Sequence, residues 1–190
     1  MPLPVNIEQI CAALGPGCPP DNVAANWPLV EAALGAQRVD SPMTSVAAIA
    51  TIGVETGSFA PVKERGGPQY LNDLYDGRKD LGNTEPGDGA RFRGRGFVQI
   101  TGRWNYQHFG AEIGKDLVAN PDLAMDPGVA AEIFAVFFRE RGVRPFADAQ
   151  RWDMVRRRVN GGMDGWPRFI DVIAKLRAAL DEASPNVETP

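Results

Sequence analysis

Two glutamates, Glu55 and Glu64, lie nine positions apart on either side of a glycine turn, in settings of opposite character. Glu55 closes a run, Val46 to Val54, whose residues are nearly all apolar or small. A carboxyl group there is expected to be partly desolvated. Burial disfavours the charged form, which suits a group that must hold a proton and deliver it to a leaving oxygen. Glu64 lies in Val62-Lys63-Glu64-Arg65-Gly66-Gly67, among charges and glycines that imply a wetter setting. Two carboxyls whose surroundings push their protonation apart are the mark of an acid and base pair in glycosidic cleavage. Each also has a plainer reading, an exposed helix end for Glu55 and a surface charge for Glu64, and the residues alone leave both open.

Such a pair must be held by the elements around it. Ser41-Pro42 is an N-cap and first-turn pair, and the run Met43 to Glu55 predicts a buried helix that Gly57 stops. Apolar spacing predicts a hairpin of short helices at 5–14 and 22–35, and further helices at 104–110, 127–142, 152–159 and 168–180. From Gly57 to Gly102 glycine and proline recur with little periodicity, and long irregular segments in compact domains are usually functional. One small β-hairpin is expected inside it, pairing 91–93 with 97–101. The expected architecture is a mainly α domain wrapped around a glycine-rich central insertion. A single domain should span 1–183, with the helical hairpin in 1–40, a core in 41–180 and a frayed tail at 184–190.

Composition narrows the classes. A chain of 190 residues with 44% hydrophobic content can bury one core. Its net charge of -4 excludes a globally basic nucleic-acid binder. Local arginine clusters, Arg91, Arg93 and Arg95 among glycines and Arg156 to Arg158, leave a phosphate or nucleic-acid patch as an alternative, but Gly94-Arg95-Gly96 lacks the Gly-Lys-Ser/Thr of a phosphate loop. Arg156 to Arg158 read as a solvated helix face. The opening segment carries no Lys or Arg and does not read as a secretory signal, and no run approaches the ~18 apolar residues of a membrane span. The expectation is a monomer made in a cytoplasm without stable membrane insertion. In that setting Cys11 and Cys18, separated by Gly15-Pro16-Gly17, are expected to be reduced thiols. With His108 as the single histidine, no metal centre and no cofactor is expected, and His108 is read as structural.

The segments VETGSFAPVKE, LGNTEPGDGARFRGRGFVQITGRWNYQHFG, NPDL and VNGGMDG, in that order over about residues 40 to 180, resemble the family 19 glycoside hydrolases, chitinase-like enzymes, and especially their phage endolysin relatives. The RFRGRGFVQITGRWNY stretch is the most specific of them. The resemblance implies a lysozyme-like (α+β) fold and an inverting mechanism, with Glu55 at the proton donor and Glu64 at the general base. It implies that Thr101 helps hold the attacking water, since a hydroxyl can both donate and accept. It also implies that Gln99, Trp104, Asn105, Tyr106 and Asn160 line the sugar cleft, and that Arg168 stands near the general base.

The chain departs from many such relatives in having Val54 where a histidine precedes the acid, and Gly57-Ser58 where they have two glycines. Plant-type cysteines and a cysteine-rich chitin-binding module are lacking in this sequence. These features, with the endolysin-like motifs, point to bacterial peptidoglycan glycan strands as the partner. The protein is expected to reach the wall from the host cytoplasm once the membrane is opened. On this reading the glycine-flanked arginines could contact carboxylates of the stem peptides. Chitin oligomers are the alternative substrate, and a non-catalytic wall-binding module the alternative class.

Overall fold

The computed structural model describes residues 3–183. The expected tail at 184–190 lies outside the described residues. The central element is the helix Pro42–Thr56 (α3), capped by the Ser41 hydroxyl accepting from Thr44 N at 3.0 Å, started by Pro42, and ended by Gly57 in the left-handed region at φ 66°. Its residues 44–53 are all buried, so it is a core helix rather than an amphipathic surface one.

Around it pack α1 (Ile7–Leu14), α2 (Pro20–Ala36), α7 (Pro127–Glu140), α8 (Val143–Asp148), α9 (Trp152–Asn160) and α10 (Trp166–Ala183). The helices α4 (Pro68–Tyr75), α5 (Asp88–Arg91) and α6 (Arg103–Ile113) complete the described set. Apart from α4, α5 and α8, each was predicted to within a few residues. A large apolar cluster unites α1, α2, α3 and α7 to α10, while a smaller one gathers Phe92, Ile100, Tyr106, Phe109 and Leu117 against Val129, Ile133 and Val136 of α7. Val98 and Phe137 pack against both clusters and mark the seam between them.

The glycine-rich insertion is ordered by side chains that bind backbone. Asp76 accepts from Gly87 N and Gly89 N, Asn72 from Ala90 N, and buried Asn83 bridges Tyr75 O and Arg103 N. Such contacts need no apolar periodicity, which is why α4 and α5 were not foreseen. The expected strand pairing is corrected. Arg91 ends α5, and the observed sheet pairs β1 (Val62–Lys63) with β2 (Arg95–Gly96), antiparallel, in the register Val62 to Gly96 and Lys63 to Arg95. Residues 97–100 form a tight turn closed by a bridge between Arg95 and Ile100. Positive φ at Gly96 (89°) and Gln99 (52°) makes the turn too tight for a five-residue strand.

The two cysteines are also corrected: Cys11 and Cys18 are bridged, with Cα atoms 5.3 Å apart. Gly15 and Gly17, both at φ 91°, reverse the chain sharply enough to bring them together. No helix among the described residues is long and apolar enough to cross a membrane.

Candidate active site

Glu55 projects from the last turn of α3 and lines a cavity of about 200 Å³ with Val98, Val159 and Asn160. Glu55 is half-buried, but its setting is not purely apolar, because Arg156 on α9 donates to Glu55 Oε1 at 2.7 Å. Arg156 is 1% exposed, its Nε and Nη2 donate to Asp164 O, and its guanidinium lies over Phe169. Gly165 permits this approach: a Cβ there would stand 2.7 Å from Val54 and 3.2 Å from the guanidinium. Arg156 is therefore a buried cation balanced by Glu55, not part of a solvated face. Arg157 and Arg158 are exposed as expected, Arg158 with its guanidinium over Phe146.

Glu64 follows β1 and is half-buried. Its backbone N–H donates to Gly94 O, its Oε2 accepts from Gly94 N at 2.9 Å, and its Oε1 accepts from the Tyr75 hydroxyl at 2.8 Å. The wet setting read from its neighbours is thus corrected to one with both oxygens hydrogen-bonded. Burial, followed by the bond to Glu64, pushes the Tyr75 hydroxyl up to about 12, so it stays a donor at neutral pH. Gly94 is the point where the site converges. A Cβ there would stand 3.3 Å from Glu64 Oε2, 3.3 Å from Thr101 Oγ1 and 2.8 Å from Gln99 Oε1. Thr101 donates to Gln99 O at 3.0 Å, which leaves its lone pairs free to accept. Gln99 directs its amide nitrogen to Val62 O and Gly96 O, fastening the turn to β1.

A larger cavity, about 490 Å³, adjoins the first by sharing Val98 and Val159. Gln99, Thr101, Trp104, Asn105, His108, Phe137, Glu140 and Arg141 are among its walls. The two cavities form one cleft above the seam between the apolar clusters. The helical period sorts the residues of α6. Trp104 and His108, one turn apart, face the cleft as a parallel stack with ring centroids 5.0 Å apart, and Asn105 donates to Thr101 O. Trp104 is 57% exposed. Tyr106 points the opposite way and is fully buried, its hydroxyl donating to Arg93 O and accepting from Arg95, so its expected place in the cleft is corrected to the smaller core.

Arg168 is corrected as well. It lies near the start of α10 and lines a separate pocket with Leu14, Cys18, Gly57 and Phe59, while the arginine that meets a candidate catalytic carboxylate is Arg156, on Glu55. The glycine-flanked arginines prove to be staples. Arg91 holds Val118 O, Arg93 holds Ala90 O and Gly66 O, and buried Arg95 holds Asp122, Arg91 O and Arg93 O. Neither a phosphate patch nor contact with stem peptides follows from groups so engaged. Sequence reasoning missed Tyr75, Gly94 and Arg156. Only Gly94 carried a signal, as a glycine within the most specific motif.

A mainly helical domain with a cleft between two apolar clusters, Glu55 in the cleft wall and Glu64 meeting the cleft residue Thr101 at Gly94, defines the general class: a lysozyme-like fold with paired glutamates. The class I chitinase profile of glycoside hydrolase family 19 matches residues 24–149. The chain belongs to glycoside hydrolase family 19. It is 32% identical over 117 residues, 62% of this chain and 54% of the relative, to a family 19 domain-containing protein of Haemophilus influenzae. It is 30% identical over 195 residues, 98% of this chain and 65% of the relative, to an endochitinase of Arabidopsis thaliana. The chain thus spans about half to two thirds of the length of these curated relatives. Among solved structures, chitinase C of Streptomyces griseus superposes with a TM-score of 0.68 at 18% identity, covering 100% of this chain and 81% of that one, which is a likeness of fold.

Proposed function

We propose that the protein hydrolyses β-1,4 glycosidic bonds of bacterial peptidoglycan by an inverting mechanism, with Glu55 as acid and Glu64 as base. The observation that carries the reading is the convergence of Glu64 Oε2 and Thr101 Oγ1 at Gly94, on the edge of a cleft that also holds Glu55. Arg156 occupies Oε1 of Glu55, so the proton for the leaving oxygen is carried on Oε2. As the C1–O bond breaks, that proton passes to the departing sugar. A water donates one hydrogen to Thr101 and the other to Glu64, and its free lone pair attacks C1 from the opposite face. Glu64 ends protonated, Glu55 ionised, and proton exchange with solvent resets the pair. Trp104 supplies a flat face for a sugar ring, and Asn105 and Asn160 supply amides for hydroxyl and acetamido groups.

Endolysin-like motifs support peptidoglycan as the substrate. Chitin oligomers are the second reading, favoured by the relatives named as endochitinases. The test is release of reducing ends from purified bacterial walls and from colloidal chitin, with Glu55→Gln and Glu64→Gln as controls. Faster release from walls is expected, with each variant reduced about 10²–10⁴-fold. Equal or better activity on chitin would overturn the substrate reading. A Glu55→Gln protein with near-parental turnover would overturn the assignment of the acid.

A further inference from the structure

The cleft contains a charge that the mechanism does not use. Arg141, directly after α7, is exposed and lines the large cavity with Thr101, Trp104 and Asn105. Its guanidinium carbon lies 5.1 Å from the centroid of the Phe137 ring, also a wall of the cavity. Among the described residues it enters no ion pair. The charges beside it are engaged: Glu140 meets His108 Nε2 at 2.9 Å and Arg139 at 3.4 Å, and Arg139 meets Glu112 at 2.5 Å. Arg91, Arg93 and Arg95 are likewise bound to backbone or to Asp122. Arg141 is thus a cation presented to a glycan cleft and steadied by an aromatic face, with its donor fork open.

We propose that Arg141 is a specificity-determining residue that binds a carboxylate carried on the muramic units of wall glycan. This inference rests on the peptidoglycan reading above. Chitin is neutral along its length, so a cation in the cleft gains nothing from it. A muramic unit carries a lactyl arm, which offers a carboxylate either directly, where the peptide has been removed, or through the peptide attached to it. The planar fork of arginine matches that group in two parallel hydrogen bonds. Packing on Phe137 limits the side chain before binding, which lowers the ordering cost. The chain carries a net charge of -4, so a local cation also offsets repulsion between an acidic protein and an anionic wall.

The test compares the parent, Arg141→Ala, Arg141→Lys and Arg141→Glu on three substrates: peptide-bearing walls, wall glycan stripped of peptides by an amidase, and chitohexaose. The readout is kcat/KM for reducing-end release on each wall substrate relative to chitohexaose, with melting temperatures to confirm folding. For an exposed pair the ratio should fall about two- to fivefold in Arg141→Ala, through KM. It should fall further in Arg141→Glu and recover in part in Arg141→Lys. The parental preference should shrink as added salt shortens the screening length from ~10 Å at 0.1 M to ~3 Å at 1 M. A fall on stripped glycan alone places the carboxylate on the lactyl arm, a fall on peptide-bearing walls alone places it on the peptide, and a fall on both shows that the guanidinium takes either. Unchanged ratios, with the parent active on walls, overturn the inference alone. A loss shared equally by chitohexaose also overturns it, because the contact would then be to neutral sugar. A parent that cleaves chitohexaose but releases nothing from walls overturns the peptidoglycan reading and this inference with it.

Discussion

Removing the hydroxyl of Tyr75 tests whether Glu64 is the base. In Tyr75→Phe the ring stays, and so does the backbone carbonyl that Asn83 binds. What is lost is the 2.8 Å hydrogen bond to Glu64 Oε1. Hydrogen bonds to a charged group contribute about 1.5–3 kcal/mol. Tyr75 and Glu64 are both half-buried, so the lower figure applies. At ~1.4 kcal/mol per factor of ten, that corresponds to about a tenfold fall in turnover if the bond holds the base in place in the transition state. The loss should fall on kcat with KM little changed, because the base itself is retained and no sugar contact is removed. The assay is reducing-end release over a range of substrate concentrations, beside thermal melts of parent and variant. A variant that melts like the parent and keeps its kcat would refute the role given to Glu64, since the bond would then be positioning nothing in the reaction.

The closed loop between Cys11 and Cys18 should contribute about 2.5 kcal/mol, so reduction, or replacement of both by serine, should lower the melting temperature by roughly 5–10 °C in calorimetry. Asp88 is buried. Its burial opposes ionisation, but hydrogen bonds from Arg103 and from the N–H groups of Glu85 and Thr84 outweigh this and hold its carboxyl below the ordinary 3.8. Its stabilising effect is therefore present above that value and lost as pH falls through the lowered one. Asp88→Asn should cost about 3 kcal/mol in urea unfolding at pH 7, a gap that narrows below about pH 4. Trp104→Ala should raise KM for glycan about tenfold with little change in kcat, as expected when binding common to ground and transition states is lost. A fall in kcat alone would place the ring at the reacting bond instead.

Several features follow from sequence alone because they depend on neighbours along the chain. Ser41-Pro42 and Gly57 set the ends of α3, and its unbroken small and apolar run could only be a core helix. The motif residues 94–105 are brought together by one turn and the first turn of α6, so Gln99, Thr101, Trp104 and Asn105 could be grouped without knowing the fold. A helical wheel alone would have set Tyr106 opposite Trp104.

What surrounds each glutamate was decided by contacts distant in sequence. Arg156 reaches Glu55 across 101 positions, and its triplet looks solvated until α9 packs on α10 and Gly165 opens a place for the guanidinium. Gly94 reaches Glu64 across 30 positions through the β1 and β2 pairing, and Tyr75 arrives on a helix held by side-chain bonds to backbone. Local pattern reports which residues can be buried or can turn the chain, since those are properties of single residues and their near neighbours. Which cation or hydroxyl faces a buried carboxylate depends on how whole elements dock, and that is settled only when the packed core leaves a polar group no alternative partner.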